Sequence, residues 1–185
     1  MITAGVFGIA NSEMPHLCPA YCEQRWYAAY TYANHEKRVA AELHARKVEH
    51  FLPLYSSVRR WRDRRVRLDL PLFPGYVFLR LALREKLRAL QIPSLVRLVG
   101  FCGQPAAISD DEMEALRRGL TRDTNAEPHA YLTAGRRVRV TNGPLAGLEG
   151  IILRRRNQFR FVISLPLIMR SVSVELDETD LKALG

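Results

Sequence analysis

Apolar and polar positions follow two regimes along the chain. Up to about residue 120, short β-prone apolar runs alternate with stretches of helical spacing, whereas from residue 137 onward apolar positions recur with period two. Trp26, Tyr27, Tyr30 and Tyr32 make residues 26–32 an aromatic run that predicts a buried strand. Val39, Ala40 and Leu43 then lie at helical spacing, with Asn34 as the expected cap and Lys47 near the helix end, where its charge suits the dipole. Residues 51–55 predict a second strand, and residues 58–67 the arms and tip of a hairpin, with Val66, Leu68 and Leu70 alternating. Pro74-Gly75 is a turn signal that launches a strand over 76–81. Residues 83–90 predict a short helix stopped by Pro93, and residues 95–99 another strand. Ser109, three residues before Glu112, is the capping signature of a helix through Leu120.

This order of elements predicts an α+β sandwich over residues 25–122, with helices covering a mostly antiparallel sheet. Residues 1–24 mix Gly, Pro, Asn and Ser without a sustained period and read as a loose leader, and residues 123–132 read as a polar linker. Over 133–185, alternating runs separated by Asn142-Gly143-Pro144, Gly147 and Gly150 predict about five short strands in a small β-barrel. The same glycines and proline oppose a helix there.

Composition narrows the partners. The chain has 28 Lys and Arg against 19 Asp and Glu, a net charge of +9 that fits either a polyanionic partner or a soluble protein that is merely basic. No apolar run approaches the roughly 20 residues that span a bilayer, so no membrane contact and a cytoplasmic location are expected. Three cysteines, an odd number, argue against a disulfide framework, and Cys102 reads as a small buried apolar residue. His16, Cys18 and Cys22 are too loosely spaced for a metal site. There is no glycine-rich phosphate loop, nucleophile elbow, paired-cysteine or zinc-protease motif, so neither catalysis nor a cofactor is expected.

Four segments carry a resemblance. Trp26-Tyr27 opening a strand, Phe73-Pro74-Gly75-Tyr76-Val77-Phe78, and Ile108-Ser109 before an acidic helix start resemble the N-terminal (NGN) domain of NusG transcription factors. Residues 138–150, with Asn142-Gly143-Pro144, Gly147 and Gly150, resemble the KOW motif of their C-terminal barrel. The likeness covers residues 25–184 in the right order. It implies a monomeric transcription elongation factor that binds RNA polymerase through its NGN domain, by an aromatic pocket that receives the clamp helices of the largest subunit. Phe73 and Tyr76 would anchor that contact, with Pro74 and Gly75 shaping the turn and Phe51 and Tyr55 as neighbouring wall. The alternative is that Tyr76 and Phe78 only alternate across a half-buried strand, with Phe78 in the core.

Basic segments add a second set of candidates. Arg59, Arg60, Arg62, Arg64, Arg65 and Arg67 surround a single Asp63, with Trp61 among them, a composition suited to upstream DNA or to an acidic polymerase surface, or simply to a solvated hairpin. His35, Lys37 and Arg38 begin the first helix, whose counterpart in specialised relatives touches the non-template DNA strand; an exposed helix face is the alternative. Arg154, Arg155 and Arg156 fit a charged turn of the barrel or a nucleic-acid contact. Where the housekeeping factor carries a Phe-Gly-Arg segment that binds Rho or a small-subunit ribosomal protein, this chain has Ile168-Met169-Arg170. That departure points to a specialised paralogue promoting antitermination, with Ile168 and Arg170 as the residual partner patch. The competing readings are a housekeeping pausing and Rho-termination factor, or a ribosome- or RNA-binding KOW protein.

Overall fold

Residues 19–61, 64–120, 126–129, 135–155, 158–175 and 181–183 are described by a computed structural model of the chain. A short helix, α1 (Pro19–Cys22), lies within the segment read as a leader and runs into β1 (Gln24–Thr31). α2 (Glu36–Ala45) follows, then β2 (Glu49–Phe51), a ribbon of β3 (Leu54–Trp61) and β4 (Arg64–Pro71), and β5 (Tyr76–Ala82). A 3-10 turn leads into α3 (Lys86–Leu90) and β6 (Leu95–Leu98). The tight hairpin β7 (Gly100–Phe101) and β8 (Gln104–Pro105), then β9 (Ala107–Ile108), precede α4 (Asp110–Gly119). The first sheet runs β2-β5-β1-β6, with β9 also paired to β1, and all of its pairings are antiparallel.

β1 is covered on both faces, which is why Trp26, Tyr27, Ala28 and Ala29 are all buried. Tyr27 and Ala29 face one way, into a core with Val39 and Leu43 of α2, Val77 and Leu79 of β5, and Ala89 and Ile92 around α3. Trp26 and Ala28 face the other way, against Phe78 and against Met113 and Leu116 of α4. A charged clasp ties α4 to the sheet: Glu49 accepts from Arg117 at 2.8 Å and pairs with Arg80, which also reaches Asp110. The Arg117 guanidinium stacks over the Trp26 indole.

Several local expectations need correction. Asn34 does not cap α2; it sits in a turn at φ 63, and His35 occupies the cap position without a side-chain bond to the helix. Residues 51–55 are not one strand, because Pro53 has no N–H to donate and separates β2 from β3. Cys102 is exposed in the β7–β8 turn at φ 48. Ser109 does cap its helix, accepting from Glu112 N–H at 3.2 Å.

The second module is a six-stranded antiparallel sheet in the order β10 (Ala126–His129), β14 (Arg170–Glu175), β13 (Gln158–Leu165), β12 (Glu149–Arg155), β11 (Arg136–Val140) and β15 (Leu181–Ala183). Among the described residues its helical piece is the 3-10 turn Pro166–Ile168 between β13 and β14, and the strands follow the period-two patterning. One feature differs from the expected five-stranded barrel over 133–185. β10 comes from the segment read as linker, and it pairs with β14 from Ala126↔Val174 to His129↔Ser171. Across the β11–β12 pair, Arg139 and Arg137 both bond Glu149, holding its carboxyl below the usual range, the Arg139 bond first.

Candidate functional site

The turn linking β4 to β5 is built by its sequence. Pro74 and Gly75 take the two central positions, Tyr76 N–H bonds back to the Phe73 carbonyl at 3.1 Å, and Gly75 supplies the positive φ of 84° that a type II turn needs. Two distant bonds pin the turn: Gly75 N–H donates to Oε1 of Glu36 at 2.7 Å, and Thr31 N–H donates to the Gly75 carbonyl at 2.8 Å. Glu36 is only 3% exposed, so the carboxylate that opens α2 is spent on holding this turn.

The turn does not present Phe73 to the surface. The ring is 1% exposed and packs edge-on to Phe78 at 5.6 Å, so the expectation of an exposed anchor at Phe73 is corrected. The reason is topological: Phe73 lies outside both strands, and the turn folds it back under the sheet face that Phe78 and Ala28 share. Tyr76, Phe51 and Tyr55 are half-buried against the same cluster, with Phe51 6.3 Å from Phe78 and Tyr76 5.5 Å from Tyr30. Pro74 is exposed. Phe73 and Phe51 therefore flank Phe78, while Tyr55 and Tyr76 pack against the wider cluster to which Phe73 and Phe78 belong.

This apolar face is covered in part by the second module. One continuous core cluster joins Phe73, Phe78, Ile108 and Met113 to Leu145, Leu165 and Ile168. At the end of α4, Gly119 lies so close to Leu145 that an added Cβ would meet its Cδ2 at 1.8 Å. A cavity of about 280 Å³ remains between Phe78, Phe101 and Ile108 on one side and the 3-10 turn Pro166–Ile168 on the other. Glu112 also lines it, and burial pushes its carboxyl above the ordinary range. Ile168, expected as an exposed partner patch, is 3% exposed and part of this shared cluster, while Arg170 is exposed as expected. The exposed apolar residue of that segment is instead Met169, held at φ 51 where the Phe-Gly-Arg segment has its glycine.

The basic candidates fall in separate places. Lys37 and Arg38 are exposed on the first turn of α2, whereas the His35 ring is half-buried, its Nδ1 2.7 Å from Ser94 Oγ. Arg60, Arg64 and Arg65 are exposed on the β3–β4 ribbon. Arg59, Trp61, Arg154 and Arg155 lie in strands whose side chains are not described there, and Arg62, Arg156, His16 and Cys18 lie outside the described residues. Tyr30, 39% exposed beneath the Arg97 guanidinium, was absent from the sequence-derived set, since an aromatic strand predicts burial at every position. Among the described residues no group of acidic, His and Cys side chains could hold a metal, and no helix is long and apolar enough to cross a membrane.

Comparison with known proteins agrees with this architecture. The family model described as "Transcription termination factor nusG" matches residues 24–117. The chain is 28% identical over 170 residues to the transcription termination/antitermination protein NusG of Escherichia coli K12, covering 84% of this chain and 93% of that protein. The Vibrio cholerae protein of the same name matches at the same identity and coverage. The solved structure of Thermotoga maritima NusG superposes with a TM-score of 0.56 at 21% identity, covering 88% of this chain and 98% of that one, a likeness of fold. Matched by the family model over half of its length and by these relatives over most of it, the chain belongs to the NusG family of transcription termination/antitermination factors.

Proposed function

We propose that this protein is a transcription elongation factor that grips RNA polymerase with the aromatic face around Phe78 and recruits a further partner with its second module. The observation that supports this reading is that Phe51, Tyr55, Phe73 and Tyr76 all belong to or pack against one apolar cluster, which residues of the second sheet help to cover. Half-buried rings around an apolar floor suit the tip of a helical hairpin, because large rigid side chains bury much area at little entropic cost. The clamp helices of the largest polymerase subunit are the partner the resemblance implies. Since the turn Pro166–Ile168 lies on the same face, polymerase would have to displace it, which makes binding and separation of the modules one linked equilibrium.

Read-through, rather than termination, is the output we infer. Rho or a ribosomal protein would meet a segment whose Ile168 faces inward and whose glycine position carries the bulk of Met169. The test is capture of core polymerase by the full chain, comparing wild type with Tyr55→Ala plus Tyr76→Ala, two half-buried positions that can be truncated without emptying the core. Capture should fall at least tenfold; equal recovery would reject the anchor. Transcription past a Rho-dependent terminator should rise with the protein present, and a fall would assign it to termination.

A further inference from the structure

The cavity between Phe78 and the turn Pro166–Ile168 is larger than a packing fault. Protein interiors leave few voids bigger than a water molecule, whose share of liquid volume is about 30 Å³, and this one holds about 280 Å³. Phe78, Phe101 and Ile108 line it from the first module, and Leu165 and the turn Pro166–Ile168 from the second. Phe101, beside the β7–β8 turn, lines the cavity yet is 68% exposed, so it forms part of the rim. Among the described residues, Glu112 is the one titratable side chain in this lining. Arg80 reaches the neighbouring Asp110, but no cation among the described residues pairs with Glu112. Its carboxyl is half-buried beside apolar walls without the partner that a buried charge requires, and burial holds it above the ordinary carboxylate range.

We propose that this cavity binds a small organic ammonium, an amine carried on a flat apolar body. The body lies among Phe101, Ile108 and Ile168, and the ammonium pairs with the Glu112 carboxylate. Small-molecule sites are mostly apolar, with a few polar groups that fix orientation, and this lining has that composition. An anionic ligand would meet a carboxylate, and a neutral one would leave it unpaired. A protein partner does not fit, because one turn of helix, about 10 Å across and about 5.4 Å high, needs more volume than this. The chain's net charge of +9 offers a cation no general attraction, so binding depends on this one carboxylate and these walls. Because both modules supply the lining, the occupant bridges them and stabilises their contact. The inference does not rest on the polymerase reading; it concerns the free chain.

The test is isothermal titration calorimetry of the full chain with tryptamine and two compounds of similar shape, the neutral tryptophol and the anionic indoleacetate. Tryptamine should bind with a Kd of about 0.1–1 mM, the range expected for a ligand of this size. Tryptophol should bind about tenfold more weakly, for want of a charge-assisted bond, and indoleacetate more weakly still. Glu112→Gln keeps the shape of the side chain and should bring tryptamine down to the affinity of tryptophol. Ala106→Leu, which fills the cavity from its wall, should abolish binding of both. Phe101→Ser, at an exposed position whose truncation cannot empty the core, should weaken both several-fold. Saturating tryptamine should raise the melting temperature of wild type but not of Ala106→Leu, and melting of the free variants shows that they are folded. Equal affinity for the three compounds would overturn the proposal, as would tryptamine binding that survives Glu112→Gln and Ala106→Leu unchanged. Neither heat of binding nor a melting shift with tryptamine in wild type would overturn it as well.

Discussion

Single residues decide how the aromatic face is built. Phe73 is the clearest case, because its side chain is both a turn residue and a core residue. Phe73→Ala should cost about 3–5 kcal/mol in urea denaturation, as other buried phenylalanine truncations do. Loss of polymerase capture in that variant would therefore report unfolding, which is why Tyr55 and Tyr76 are the better probes. Glu36→Ala should cost about 1–3 kcal/mol, since it strands the buried Gly75 N–H and frees the turn that positions Tyr76. What the sequence displayed at this scale was chemistry: which rings and cations exist. It did not display the direction of Phe73 or Ile168, because both lie in turns, where neither the 2-residue nor the 3.6-residue period applies. Tyr30 and Met169 were hidden for related reasons, one inside a run that reads as wholly buried, the other where the backbone demands a positive φ that no apolar pattern reveals.

Elements were more legible where local signals agreed. Ser109 with Asp110, Asp111 and Glu112 fixed the start of α4, and Ser109→Ala should cost about 1 kcal/mol by removing that cap. The α2 start was misjudged because Asn34 suits a left-handed turn as well as a cap, and tertiary bonds to Glu36 decided between them. α4 also carries a pH dependence. Burial raises the Glu112 carboxyl in the folded chain, so the folded state binds more protons than the unfolded one as pH climbs past the ordinary carboxylate value. This group's contribution is therefore most favourable at acid pH and is lost as pH rises through the raised value. Glu112→Gln should melt higher than wild type at neutral pH, and the difference should shrink below pH 4.5, which thermal melts across pH would measure.

At the scale of the whole molecule, the change of hydrophobic period coincides with the change from the first sheet to the six-stranded one, but it gave no sign of the core cluster that joins them. A linker reading of 123–132 follows from low apolar content, yet Ala126–His129 completes an edge of the second sheet through backbone bonds that any sequence can make. The shared cluster around Phe78 likewise joins residues nearly a hundred positions apart, beyond the reach of any local pattern. That cluster is the core of the functional account: an adhesive face whose present cover must give way to its partner. The most direct test is the equilibrium affinity of core RNA polymerase for an Ile168→Asp chain, with and without Tyr55→Ala and Tyr76→Ala. A charge at Ile168 should loosen the cover and tighten polymerase binding several-fold, since less of the chain is held in the incompetent state. Removing the two tyrosine rings in that background should then weaken binding at least tenfold. A folded Ile168→Asp chain that binds polymerase equally well with and without those rings would contradict the account.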